Sequence, residues 1–344
     1  MTLLPGPSSI VEYSGITATE FMREIRPAGQ PAILRGLARD WPAVCAGCRS
    51  DDALVGYLKR FSHATAFPAI VGEPHIEGRF FYTDDLSALN FTRGQSQLDP
   101  FLDRLLRDRT TARPYAMALQ SALIADILPG FVDENSIVLP GADIAPRLWL
   151  GNAIRVAAHY DLMENVGIVV AGRRRFTLFP PDQLPNLYMG PLELTPAGTP
   201  VSLVDVSAPD LARFPRFAVA LQHAQRAELG PGDGIYIPFH WWHAVDSLDA
   251  INLFVNYWWN PAPPGQGDPY DALLAGLSAF AALPDDQRAA WRAMFDWLVF
   301  RTDGDPATHI APAARGVLGD PGGQMQANMQ AALRDSLLRK GKER

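Results

Sequence analysis

Gly230-Pro-Gly-Asp-Gly-Ile-Tyr-Ile-Pro-Phe-His-Trp-Trp-His243 and, a few residues on, Ile251-Asn-Leu-Phe-Val-Asn-Tyr-Trp258 decide the fold. Each is a short apolar, aromatic and β-branched run, and a glycine- and proline-rich cluster opens the first. Such runs read as strands between turns. Working back towards the N-terminus, Arg147–Leu150, Val166–Val170 and Phe176–Phe179 repeat the pattern, and Gly234–Pro238 and Ile251–Trp258 complete it. From about Arg147 to Tyr257 the text therefore predicts an antiparallel barrel or jelly roll. A long insertion, Leu184 to Ala227, interrupts it with loop text and one helix around Phe217 to Arg226.

The flanks read differently. Thr17 to Arg26 predicts a short helix, with Thr17 as N-cap and Glu20 three residues later, a capping box. Pro31–Leu37, Ala66–Val71 and Arg79–Tyr82 read as strands, and Asp51 to Phe61 as a helix. In Leu98 to Arg107, Leu98, Phe101, Leu102, Leu105 and Leu106 fall on one helical face. Beyond Asn260, Tyr270 to Ala282 and Asp285 to Phe300 are amphipathic helices broken at Pro284, followed by a helical tail over Met325 to Lys340. The expected class is mainly β with flanking helices. A jelly-roll core at about 145–260 carries an N-terminal α/β flank at 1–144. Together they form a domain over 1–265, followed by a helical region over 266–344.

Composition narrows the function classes. A net charge of −7 disfavours a general nucleic-acid binder, which usually presents a basic surface. No apolar run approaches membrane-spanning length, and the N-terminus lacks a basic start and apolar core, so a cytoplasmic protein is expected. The two cysteines form one Cys45-Ala-Gly-Cys48 motif with no second pair to complete a zinc site, so two thiols in a helix or loop are the simpler reading.

The chemistry-bearing signal is His159-Tyr160-Asp161. On a strand, residues i and i+2 share a face, so an imidazole and a carboxylate point the same way. Taken alone the motif is weak, because histidines commonly serve as structural hydrogen-bonders. Its barrel setting strengthens it, since barrel mouths are frequent ligand sites. A third ligand must come from elsewhere, and two histidines with one carboxylate make the facial triad of non-haem Fe(II) oxygenases. His243 and His240 compete for that place, and periodicity does not separate them. His63, His75, His223 and His309 have no comparable setting.

An ordered series of motifs is more specific than any one of them. His159-Tyr-Asp161, Ala171-Gly-Arg-Arg-Arg-Phe-Thr-Leu-Phe-Pro-Pro-Asp-Gln183, Asn186-Leu-Tyr188, Arg213-Phe-Pro215, Gly230-Pro-Gly-Asp233, Tyr236-Ile-Pro238, Trp241-Trp-His243 and Val255-Asn-Tyr257 together resemble the cupin-like Jumonji C family. The resemblance is close over roughly 145–260 and loose in the flanks. It implies a double-stranded β-helix, Fe(II), and the co-substrates 2-oxoglutarate and O₂, hence a dioxygenase that hydroxylates a carbon of a protein side chain or a small molecule. It implies His159, Asp161 and His243 as ligands, because the family's metal histidine follows the Trp-Trp pair.

The same resemblance places a basic residue for the far carboxylate of 2-oxoglutarate at Arg174, where a relative carries lysine. Alternation agrees: Arg174, Phe176 and Leu178 share one face, and Arg173 and Arg175 the other. A charge on an apolar face needs a partner, and a guanidinium can hold a carboxylate with two hydrogen bonds. An internal salt bridge is the alternative. Asn165, Asn256 and Tyr115 match positions near the co-substrate. Asn252 shares a strand face with Asn256, and Val156 stands where a relative has a hydroxyl. The terminal helices resemble the family's dimerisation region, so a homodimer is expected, with core packing as the alternative. A non-catalytic cupin acting as a metal- or ligand-binding sensor is the competing functional reading.

Overall fold

Eight strands carry the core: β1 Arg147–Gly151, β2 Arg155–His159, β3 Glu164–Ala171, β4 Arg174–Phe179, β5 Gln225–Leu229, β6 Gly234–Ile237, β7 Trp242–Ser247 and β8 Asn252–Trp259. The computed structural model describes residues 6–139, 144–262, 268–319 and 324–340. One sheet runs β6-β3-β8-β1 and the other β5-β4-β7-β2, with every core pairing antiparallel. Successive strands alternate between the sheets except β4 and β5, which pair in the smaller one, and this is the double-stranded β-helix that the family resemblance implies.

Strand alternation sorts the side chains. On β8, Leu253, Val255 and Tyr257 point outward and Phe254 inward; on β1, Leu148 and Leu150 point outward. The outward set meets Ala43, Val44, Leu54, Leu58, Phe101 and Leu102 from the helices Pro42–Arg49, Asp51–Lys59 and Leu98–Asp108. The inward set packs between the sheets with Phe176, Leu178, Ile235, Ile237 and Val245. β3 lies centrally and is buried along its whole length, so its text is a continuous apolar run. At Gly167 a Cβ would stand only 2.0 Å from the Phe254 ring. The missing side chain lets that ring lie across the neighbouring strand.

The larger sheet extends beyond the core at both edges. Ala32–Arg35 and then Val11–Ser14 join at β6; Ala116–Leu123, Phe67–Gly72 and Phe91–Ser96 join in that order at β1. The capping box is present, with Glu20 N–H donating to Thr17 Oγ1 at 3.2 Å and Thr17 N–H to the Glu20 carboxylate at 2.7 Å. The element it starts departs from expectation: one α-turn, Ala18–Glu20, passes into a π-helical turn, Phe21–Ile25.

Two corrections concern the core. The insertion expected over Leu184 to Ala227, with a helix to about Arg226, takes in the start of β5, whose text Gln225–Leu229 is half polar; the helix ends at His223. The insertion is also no mere interruption. Phe217, Val204 and Leu187 pack with Trp242 and Phe179, and Ser202 N–H donates to Ala158 O at 2.7 Å, so it braces the smaller sheet.

The chain divides into Met1–Asn260 and Pro261–Arg344. The boundary expected at 265–266 lies outside the described residues. In the second unit, helices Pro269–Phe280 and Asp285–Leu298 match the predicted pair, with no buried residue in either. Helix Gln324–Lys340 follows. No helix among the described residues is long and apolar enough to cross a membrane.

Candidate metal and co-substrate site

β2 and β7 are neighbours, and their register sets His159 opposite His243. Asp161 lies two residues past the end of β2, so it is not itself in a strand, although its carboxylate joins the two histidines. One ligand atom from each of His159, Asp161 and His243 lies within 4.8 Å of the others, and among the described residues this is the group that could hold a metal ion. His240 is not part of it. It sits in the turn before β7 with φ 61°, its ring packed on Phe239 and Tyr160 at 4.4 and 4.8 Å.

Local hydrogen bonds orient all three groups. His159 Nδ1 lies 2.9 Å from Ala157 O, and His243 Nδ1 lies 3.0 Å from Trp241 O. A carbonyl only accepts, so each Nδ1 carries the proton and each Nε2 keeps a lone pair for the cavity. Burial, and then the neighbouring His243, hold His159 well below the ordinary imidazole pKa, in the neutral form a metal needs. Asp161 Oδ2 accepts from Asn165 Nδ2 at 3.0 Å and from Trp258 Nε1 at 3.1 Å. Asn256 Nδ2 donates to Asn165 Oδ1 at 3.2 Å, and Trp149 Nε1 to Asn256 Oδ1 at 2.7 Å. These four side chains form a relay from the sheet to the carboxylate.

The triad opens on a cavity of about 470 Å³, lined also by Asn165, Arg174, Asn256 and Val156. Arg174 differs from its neighbours on β4. Arg173 pairs with Asp249 at 2.9 Å and Arg175 with Glu228 at 2.6 Å, both facing outward. Arg174 is buried, makes no ion pair or side-chain hydrogen bond among the described residues, and leaves Nε unsatisfied. Its guanidinium lies 4.7 Å from the centre of the Phe254 ring, the ring admitted by Gly167. Burial alone lowers its pKa to about 9, so it stays charged at neutral pH. The internal salt bridge considered above is absent from the described residues.

The register also sets the spacing. Arg174 faces Ser247 while His243 faces Leu178, four residues along β4. That is roughly 13 Å between backbones, which the two side chains bridge from opposite ends while leaving room for a short dicarboxylate. A buried cation without a counter-ion among the described residues, across a cavity from a His/Asp/His group, fits Fe(II) with 2-oxoglutarate.

The other expectations divide. Asn165 and Asn256 line the cavity, Asn165 donating to Asp161 and Asn256 to Asn165. Asn252 instead ties down a turn, donating to Asp249 O. Tyr115 is half-exposed beside Arg104 and is not among the cavity-lining residues. Val156 gives the cavity an apolar wall where a hydroxyl was the family pattern. Sequence reasoning missed Trp149 and Trp258, whose indole N–H groups complete the relay. The loop Thr195–Thr199 of the insertion also lines the cavity and is tied down by Thr199 Oγ1 donating to Tyr160 O at 2.6 Å. Only the inward alternation of Trp149 and Trp258 on their strands could have pointed to them.

Comparison with known proteins agrees with this geometry. The model of a cupin-like domain matches residues 18–264. Lysine-specific demethylase JMJ31 of Arabidopsis thaliana is 34% identical over 132 residues, 38% of this chain and 22% of that protein. HSPB1-associated protein 1 of Homo sapiens is 39% identical over 113 residues, 32% of this chain and 22% of that protein. This chain thus matches about a fifth of the length of each. tRNA wybutosine-synthesizing protein 5 of Gallus gallus is 25% identical over 319 residues, 81% of this chain and 90% of that protein. With the double-stranded β-helix, the His/Asp/His group and a family match over most of its length, the chain belongs to the cupin-like Jumonji C family.

Proposed function

We propose that the chain is an Fe(II)- and 2-oxoglutarate-dependent dioxygenase that hydroxylates a carbon of a protein side chain or a small molecule. The observation that carries the reading is Arg174, a buried guanidinium left without an ion-pair partner among the described residues, in the cavity that holds the triad. Burying an unpaired charge is costly, and a dicarboxylate removes that cost. His159, Asp161 and His243 would hold the metal, and Arg174 would grip the far carboxylate with two hydrogen bonds. Bound iron would supply O₂ activation, with 2-oxoglutarate leaving as succinate and CO₂ and one oxygen atom entering a substrate C–H bond.

The protein's own residues orient and enclose. Asn165 and Trp258 hold one oxygen of Asp161, leaving Oδ1 without a protein partner among the described residues. Val156, Phe176, Ile237 and Val245 keep the wall around the triad apolar, which limits water beside the reacting atoms. The relatives' names point to lysine in one case and to tRNA in another. The net charge of −7 weighs against a nucleic-acid substrate here.

The test is succinate formation by purified protein with Fe(II) and 2-oxoglutarate in air. Succinate should require iron and O₂ and fall to background in Asp161→Ala. If no succinate forms and anaerobic titration shows no 2-oxoglutarate binding to the metal-loaded protein, the sensor reading replaces this one. We also propose a homodimer through the C-terminal helices, because Leu273, Leu277, Trp291, Met294 and Trp297 are exposed there. A monomer at micromolar concentration by analytical ultracentrifugation would refute it.

A further inference from the structure

A second guanidinium reaches the same cavity. Arg93 lies on Phe91–Ser96, the last strand of the larger sheet, and lines the cavity at its exposed side. The register explains how so remote a strand contributes. Arg93 pairs with Ile70 and Ile70 with Ala118, so the three share one sheet face. Gln120, two residues beyond Ala118, lines the cavity too. The added strands thus carry the cavity wall outward from the triad.

Among the described residues Arg93 makes no side-chain hydrogen bond or ion pair; its one contact is the ring of Phe91, 5.5 Å away. A solvated surface arginine needs no partner, so exposure alone means little. What distinguishes Arg93 is its position where a substrate must pass, together with the charge balance. Of the ionisable side chains lining the cavity, Asp161 is acidic, Arg174 and Arg93 are basic, and the histidines are His159 and His243. With a divalent cation and the 2-oxoglutarate dianion in place, Asp161 offsets Arg174, and Arg93 leaves one positive charge uncompensated. Arg147, outside the lining, adds a further positive charge nearby, its guanidinium donating to Ser121 O at 2.8 Å and lying over Trp258.

We propose that Arg93 is a specificity residue that binds a carboxylate of the substrate at the cavity mouth. This rests on the oxygenase reading for its charge balance, and the experiment separates the two. The full chain, loaded with zinc to prevent turnover and saturated with 2-oxoglutarate so that Arg174 is occupied, is titrated by NMR with two matched pairs. One pair is 4-acetamidobutanoate and its amide; the other is a blocked alanine peptide with one central glutamate and its glutamine counterpart. The acid should bind about tenfold more tightly than the amide in at least one pair. That ratio should fall to near one in Arg93→Gln and persist in Arg93→Lys. A ratio confined to the peptide pair assigns a polypeptide carboxylate, and one confined to the small pair a free acid.

Equal binding of acid and amide by the unaltered protein, including none by either, overturns the proposal. So does an Arg93→Gln variant whose change falls on the 2-oxoglutarate concentration for half-maximal succinate formation, because Arg93 would then serve the co-substrate. If 2-oxoglutarate itself fails to bind, the oxygenase reading fails, and the acid-to-amide ratio without it still decides Arg93.

Discussion

The two ends of the cavity are built on opposite principles. At the triad end the protein orients each of the three ligand side chains. Both histidines donate to a backbone carbonyl two residues earlier, and Asp161 is fixed by Asn165 and Trp258 behind it. At the Arg174 end nothing is held, and the guanidinium rests on an aromatic ring with its Nε unsatisfied. The first end is pre-organised for an ion that needs lone pairs at fixed positions. The second end stores an unmet demand for an anion. A ligand bridging both therefore gains orientation from one end and charge compensation from the other.

The sharpest way to break this contrast is Arg174→Met. It should raise the half-saturating 2-oxoglutarate concentration by about a hundredfold, the loss of a charged two-point contact. The same change should raise the thermal midpoint of the ligand-free protein, because replacing an unpaired buried charge with an apolar chain of similar length removes a desolvation cost. A lower midpoint would mean that Arg174 has a protein partner and that the two ends do not differ. A smaller effect belongs to the other end. Trp258→Phe keeps the ring and removes one hydrogen bond to Asp161, so metal affinity should fall by about tenfold. Asn165→Ala should do the same, with 2-oxoglutarate affinity of the metal-loaded protein changing far less. Unchanged metal affinity in both variants would show that the relay does not position the carboxylate.

Much of this was legible before folding is considered. Turn clusters around apolar runs located β1, β3, β4, β6 and β8, and alternation alone placed Arg174 inward and Arg173 and Arg175 outward. Among the strands that were not read, β5 and the edge strand Phe91–Ser96 carry mostly polar or exposed residues. Their strand state comes from pairing with neighbours, which local pattern does not encode. Tyr115 shows the converse limit, since a motif match in a loosely similar flank landed away from the cavity.

What the sequence by itself determined is therefore periodic and local: the text of five core strands, the imidazole and carboxylate two residues apart, and the face each β4 arginine takes. Periodicity left His243 and His240 open and the family resemblance implied His243; the tertiary structure sets β7 in register with β2 and so brings His243 to the group. It alone showed that Arg174 has no counter-ion among the described residues and that the indoles of Trp149 and Trp258 end on the carboxylate relay. It alone brought Arg93 to the cavity wall. A side chain's direction follows from its own strand, but its partners lie on strands dozens of residues away, and only the register between those strands says which groups meet.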